Sequence, residues 1–230
     1  MLTIEAVTIT LGSFRLQADL VIATGARVAL IGPSGAGKST LLAAIAGFQP
    51  LASGVIRWRG QDLAALSPGL RPLTMLFQDS NLFAHLSAAQ NVALGLRPDL
   101  ALAKAGWRRV EAALARVGLE GMAGRKPGAL SGGQQSRVAL ARALIRARPL
   151  LLLDEPFAAL GPALTAEMLA LVAEICSETG ATLLMVTHHP ADVLALTPDC
   201  ILVAEGIAHP PQPTAALLAN PPEVLRRYLE

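Results

Sequence analysis

Gly32-Pro33-Ser34-Gly35-Ala36-Gly37-Lys38-Ser39 sets three glycines, a lysine and a hydroxyl in the spacing G-x-x-x-x-G-K-[ST]. That combination suits a polyphosphate. Glycines at 32, 35 and 37 let backbone N–H groups turn inward around an anion, and a helix starting near Lys38 and continuing through Thr40 adds the positive end of its dipole. Lys38 supplies a mobile point charge for β- and γ-phosphates, and the Ser39 hydroxyl is placed to ligate Mg²⁺. Residues 32–40 are therefore the expected nucleotide-binding loop.

A second group lies far along the chain. The apolar run Leu150-Leu151-Leu152-Leu153 ends in Asp154-Glu155-Pro156. Two carboxylates at the C-terminal tip of a buried strand beside a phosphate loop are where a magnesium partner belongs. Asp154 would hold Mg²⁺ directly or through a water, because that ion keeps octahedral oxygen geometry. Glu155 would polarise an attacking water.

These groups need a scaffold. Arg27 to Ile31 reads as the strand before the phosphate loop, and Leu150 to Leu153 and Thr182 to Val186 are apolar on both faces, as parallel strands require. Leu2 to Thr10 and Phe14 to Ile22 alternate around a Gly-Ser turn and predict an antiparallel pair. Val55 to Trp58 and Leu73 to Phe77 read as further strands, and Ala163 to Glu178 as a helix. From Ser87 to Val117 the pattern turns helical and alanine-rich with a break at Leu96 to Leu100, ended by the Gly/Pro-rich passage 118–128. The last strand is expected at Cys200 to Ala204, before a Pro-rich stretch and a short helical tail. The fold class is α/β, a P-loop NTPase with an N-terminal antiparallel β subdomain and an inserted α-helical subdomain. One domain is expected over 1–230, with 1–86 and 149–230 as the core and 87–148 as the helical insertion.

Composition removes several classes. Of the 230 residues 53% are hydrophobic, and the mean hydropathy of +0.49 raises the question of a membrane span. The long uncharged stretches 39–56 and 80–96 are broken by Gln49-Pro50 and by Asn81, His85, Gln90 and Asn91, so neither offers about 20 apolar residues in a row. The excess fits a buried parallel sheet and surfaces that meet partners. A formal net charge of +2 with scattered cations argues against nucleic acid as a partner. Without a charged segment leading an apolar one at the N-terminus, the chain is expected in the cytosol. Cys176 and Cys200 are far apart in apolar surroundings and read as reduced core thiols.

Leu130-Ser131-Gly132-Gly133-Gln134, followed by Gln135-Ser136-Arg137-Val138-Ala139-Leu140-Ala141-Arg142, resembles the signature motif of ATP-binding-cassette (ABC) ATPases. Its small-residue turn at a helix N-terminus presents Ser131 and the Gly132 and Gly133 amides to an anion. The order of phosphate loop, signature and Asp-Glu matches that family across nearly the whole chain. The resemblance implies an enzyme that hydrolyses ATP with Mg²⁺, two copies closing head-to-tail so that Ser131, Gly132, Gly133 and Gln134 reach the nucleotide held by the partner. It makes Lys38, Glu155 and His188 catalytic, His188 being the switch histidine at the γ-phosphate. Gln78, after Leu73 to Phe77, becomes the glutamine that senses Mg²⁺ and water, so that Ser39, Gln78 and Asp154 form the metal set.

Met75 to Leu86, Ala46-Gly47-Phe48 and Leu183 to His188 further resemble the ATPase subunits of bacterial thiamine importers. Such subunits sit peripherally on the cytoplasmic face of the inner membrane, bind transmembrane permease subunits, and serve a periplasmic solute-binding protein indirectly. Leu82, Phe83 and Leu86 would supply an apolar contact with the permease. An importer ATPase for another small solute is a second reading. A soluble ABC ATPase is a third, although such proteins usually carry paired cassettes or basic arms that are missing here. The resemblance breaks twice. Leu11 stands where an aromatic residue usually stacks on adenine, with Phe14 the nearest ring, and Gly161 replaces the Asp that usually ends the loop after Pro156.

Overall fold

The computed structural model describes residues 1–77 and 81–229, with side chains as far as Arg226. Gln78 lies outside the described residues.

Alternating burial along β2 (Phe14–Ile22) marks a half-covered strand, which turns back on β1 (Leu2–Leu11) with Leu11 opposite Phe14. β4 (Ser53–Trp58) pairs antiparallel with the other edge of β1, and β5 (Gln61–Asp62) with β4. The register of β1 shifts between Ile4 and Val7, where Ala6 takes φ 47°.

The parallel part is built from β3 (Arg27–Ile31), β6 (Leu73–Leu76), β7 (Leu150–Asp154), β8 (Thr182–Val186) and β9 (Asp199–Ala204). All residues of β7 and β8 are buried, the pattern their unbroken apolar runs require. Burying one such leucine is worth about 1.5–3 kcal/mol. β10 (Ile207–Ala208) runs parallel to β2 and antiparallel to β9, joining the two parts into the order β5-β4-β1-β2-β10-β9-β3-β8-β7-β6, while β11 (Gln212–Pro213) pairs with β9.

The helices are α1 (Lys38–Ala46), α2 (Ala88–Ala93), α3 (Lys104–Arg116), α4 (Gly132–Ile145), α5 (Pro162–Thr179), α6 (Pro190–Leu196), α7 (Thr214–Ala219) and α8 (Glu223–Leu229). They pack into three apolar clusters. α2, α3, α4 and α5 close over one face of the sheet around Val92, Leu114, Leu140 and Leu153. α1 and the antiparallel strands bury Leu16, Leu41 and Leu42 against Val28 and Leu184. α6, α7 and α8 cover Ile31 and Leu202 through Val193, Leu217 and Leu225. Cys176 and Cys200 are buried free thiols, and burial pushes Cys176 up to about 11.

Three expectations are corrected. β9 is not the last strand, because two-residue β10 and β11 follow and are too short to show a period. β6 stops at Leu76 rather than Phe77. The helical break is wider than Leu96 to Leu100, running from Leu94 to Ala103. There Gly95 lies so close to α4 that a Cβ would fall 2.5 Å from the Arg142 carbonyl oxygen.

Candidate nucleotide site

Three neighbouring parallel strands, β3, β8 and β7, end on the same side, and each delivers a functional segment there. β3 leads into residues 32–37, β7 into Asp154-Glu155, and β8 into Thr187-His188. A crevice at the carboxyl ends of parallel strands is where α/β sheets hold ligands.

The loop after β3 has its shape because two of its glycines have no room for a side chain. Gly32, at φ 148°, would place a Cβ 2.0 Å from the Val203 carbonyl oxygen of β9. Gly37, at φ 103°, sits at the N-cap of α1 and would place one 2.7 Å from Cζ of the Phe14 ring. β9 and β2 thus press the loop into its concave form. The Lys38 side chain is buried under it, and Nζ donates to the carbonyl oxygens of Gly32 at 2.7 Å and Pro33 at 2.8 Å. Burial lowers the Lys38 pKa, opposed by the nearby Glu155 and Asp154 carboxylates.

Ser39 Oγ donates to Asp154 Oδ1 at 3.0 Å. Asp154 is buried, and its pKa is raised by that burial and by the charge of Glu155, against the Ser39 bond and Lys38. Glu155 takes φ 45°, uncommon for a residue with a side chain, and its N–H is held by the Val186 carbonyl oxygen at 3.0 Å. This turn aims the carboxylate away from the sheet, where Oε2 lies 3.4 Å from His188 Nδ1.

Leu11, Phe14, Ser34, Gly35, Gly37, Lys38, Ser39, Thr40, Glu155 and His188 line one open pocket of about 800 Å³. The volume is that of a cofactor-sized ligand. The two apolar residues, Leu11 and Phe14, come from the β1–β2 hairpin, and the phosphate-loop residues from α1 and the turn before it.

Ser131, Gly132, Gly133 and Gln134 do not line this pocket. Ser131 is the N-cap of α4, accepting from the Gln134 N–H at 3.3 Å, while Gln134 Oε1 accepts from the Ser131 N–H at 2.9 Å. Both side chains thereby close a capping box. Ser131 and Gly132 are exposed, and Gly133 packs beside Leu160 in the loop leading to Gly161.

The turn that carries His188 is built on Thr187. Thr187 Oγ1 is buried, accepts from the His189 N–H at 3.2 Å and donates to Asp192 Oδ2 at 3.4 Å. A threonine three residues before a Pro-initiated helix with Asp in its first turn was the available signal. His189 is exposed, its ring tilted 45° to that of His188 with the centroids 3.9 Å apart.

A family model described as ABC transporter matches residues 16–158. The chain is 60% identical to "Thiamine import ATP-binding protein ThiQ" of Cereibacter sphaeroides over 229 residues, covering 100% of this chain and 99% of that one. It is 59% identical to the protein of the same name in Ruegeria sp., with the same coverage. In Jannaschia sp. the identity is 52%, covering 100% of both chains. Among solved structures, "Dimeric structure of a post-hydrolysis state of the ATP-binding cassette MJ0796 bound to ADP and Pi" superimposes with a TM-score of 0.84 at 29% identity, covering 93% of this chain and 99% of that one. The chain belongs to the ABC transporter family, as one of its ATPases.

Proposed function

We propose that this chain is the ATP-hydrolysing subunit of a membrane importer for thiamine or its phosphates. The observation that carries the reading is the full-length identity to proteins named for thiamine import, 60% in the first of them. The convergence of Lys38, Ser39, Glu155 and His188 on one pocket supports hydrolysis there.

Ser39 Oγ and Asp154 Oδ1 are hard oxygen donors 3.0 Å apart beside the loop, a set that fits Mg²⁺ with its remaining positions left to water and phosphate. When bound, Mg²⁺ neutralises charge building on the phosphoryl oxygens. Gln78 completes the proposed metal set. Lys38 turns from the carbonyls of Gly32 and Pro33 to the phosphates, while loop amides from Gly35 to Thr40 hold the chain of phosphates in place. Glu155 accepts a hydrogen bond from the attacking water, orienting its oxygen toward the γ-phosphorus and taking its proton. The new P–O bond forms as the bond to the β,γ-bridging oxygen breaks, and ADP departs. His188, 3.4 Å from Glu155, steadies the carboxylate and the γ-phosphate.

A second copy supplies Ser131 and the Gly132 and Gly133 amides. The exposure of Ser131 and Gly132 away from the pocket of their own chain supports this head-to-tail arrangement. The membrane partner is a permease, contacted through exposed apolar side chains, among which Phe83 is 50% exposed. Among the described residues no helix is long and apolar enough to cross a membrane, in keeping with a peripheral subunit on the cytoplasmic face of the inner membrane. A periplasmic solute-binding protein would deliver cargo to the permease. Residues 1–86 and 149–230 form the ATP-binding core, and 87–148 the helical subdomain.

The test is uptake of labelled thiamine in cells lacking this gene and complemented with wild type or Lys38→Ala. Wild-type rescue with at least about a hundred-fold less uptake from Lys38→Ala is expected, the loss of a buried charge on the transferring phosphate. Equal uptake in all strains would remove thiamine as the cargo and favour another small solute.

A further inference from the structure

The segment 81–87 follows β6 in the chain, yet its anchors come from the helices. Asn91, in α2, is completely buried. Its Oδ1 accepts from the Phe83 N–H at 2.8 Å, and its Nδ2 donates to the carbonyl oxygens of Phe83 at 3.2 Å, Leu86 at 3.2 Å and Ser87 at 3.0 Å. One side-chain amide therefore satisfies both polar backbone groups of Phe83 and closes the turn behind it. Arg142, in α4, donates from Nη1 to the Asn81 carbonyl oxygen at 2.9 Å, where Asn81 takes φ 47°. Leu82 packs into the cluster formed by α2, α3, α4 and α5.

The product of these contacts is an aromatic ring held toward water. Phe83 is half exposed although its backbone is among the best anchored in the loop, and its ring meets only the edge of His85 among the described aromatic contacts, centroids 6.0 Å apart. A loop free to rearrange would turn such a ring inward, since burying it is worth about 1.5–3 kcal/mol. Four hydrogen bonds to a fully buried amide oppose that collapse, because any rearrangement leaves Asn91 unpaired away from solvent.

We propose that Asn91 is a positioning residue for the permease contact: it holds residues 83–87 in the conformation that presents Phe83 outward and, with Arg142, makes this loop move with α4 rather than with β6. Ser131 caps the N-terminus of α4, so a displacement of the signature end of that helix is carried to Phe83 through Arg142 and the α2 packing. The inference rests on the importer reading above.

The experiment uses the full-length protein with its permease subunits in lipid nanodiscs and measures the ratio of permease-stimulated to isolated ATPase rate, together with amide exchange. In Asn91→Ala the stimulation ratio is expected to fall about ten-fold or more and the Phe83 amide to exchange at least about ten-fold faster, the consequence of one lost buried bond. The permease concentration for half-stimulation should rise in step. Phe83→Ala, a surface change that keeps the result decidable if Asn91→Ala folds poorly, should lower the same ratio, and the double variant should fall no further than the worse single one. Asn91→Ala lowering isolated and stimulated rates in proportion, with the ratio intact, would overturn the inference as mere structural support. So would Phe83→Ala with full stimulation. A wild-type protein that gains nothing from the permease would instead remove the importer reading itself.

Discussion

Ser39 Oγ and Asp154 Oδ1, 115 residues apart in the chain, share a hydrogen bond of 3.0 Å that ties the first turn of α1 to the tip of β7. The bond sits over a carboxylate taken out of water, and burial is the larger effect, so the Asp154 pKa is raised. A raised carboxylate pKa means the folded chain binds the proton more tightly than the unfolded one. Stability falls as pH rises from the usual Asp range through the raised folded value, and above it the full cost of the buried charge remains. Asp154→Asn should therefore raise Tm of the nucleotide-free protein at pH 7 by roughly 2–5 °C. The gain should shrink as the pH falls into the carboxylate range. The same variant should lose Mg²⁺-dependent nucleotide binding, which calorimetry with and without the ion would report.

Glu155→Gln should separate binding from turnover. The amide still fits the strained position at φ 45° but cannot take a proton from water. ATP affinity should stay within about two-fold while the hydrolysis rate falls roughly 10²–10⁴-fold. ATP should then hold the protein as a dimer in size-exclusion chromatography. Full single-turnover phosphate release by this variant would remove Glu155 as the water-orienting group.

Away from the pocket, the buried Arg71 guanidinium closes the far end of α1, with Nη1 donating to the carbonyl oxygens of Ala44 at 3.0 Å and Ile45 at 2.7 Å. Arg71→Ala should cost about 2–4 kcal/mol and lower Tm by roughly 5–10 °C. Gly47→Ala should be as harmful, because at φ 89° its Cβ would come within 2.6 Å of the guanidinium carbon. Thermal melts read both.

Gly161 is the N-cap of α5 with an ordinary φ of −75°, and a Cβ there would meet nothing within 4 Å. The backbone does not require glycine. Gly161→Asp should be tolerated and add a few tenths of a kcal/mol through capping. If the glycine weakens coupling between the two nucleotide sites, Gly161→Asp should also speed ATP turnover of the assembled transporter. An unchanged rate would dismiss that role.

Much of this was legible beforehand for physical reasons. The runs Leu150 to Leu153 and Thr182 to Val186 had to be buried strands because they offer no polar face, and the glycine spacing at 32–37 admits few uses besides an anion. Residues that leave the C-terminal ends of adjacent parallel strands share a crevice, so the meeting of Lys38, Glu155 and His188 follows from strand order. The elements that stayed hidden are those with no period: β5, β10 and β11 have two residues each, and α6 has seven. Asn91 was hidden for another reason. A polar residue in a six-residue helix reads as solvated, and only the return of the chain at Phe83 to Ser87 shows why it is buried. Likewise, no spacing rule announces that Lys38 rests on the carbonyls of Gly32 and Pro33.

The joint between β2 and β9 is a two-residue strand, β10, and the pocket lies across it, with Leu11 and Phe14 on one side and residues 34–40 on the other. A bound nucleotide would then act as a staple over a seam that two register pairs hold on each side. At a hundred times its dissociation constant a ligand adds about 2.7 kcal/mol to the folded state, and any opening of the seam that dismantles the pocket would cost that much more. A ligand there would thus lock the hairpin of β1 and β2 to the rest of the sheet, and its departure would leave that joint to β10 and to the apolar packing of Leu16 with Leu41 and Leu42.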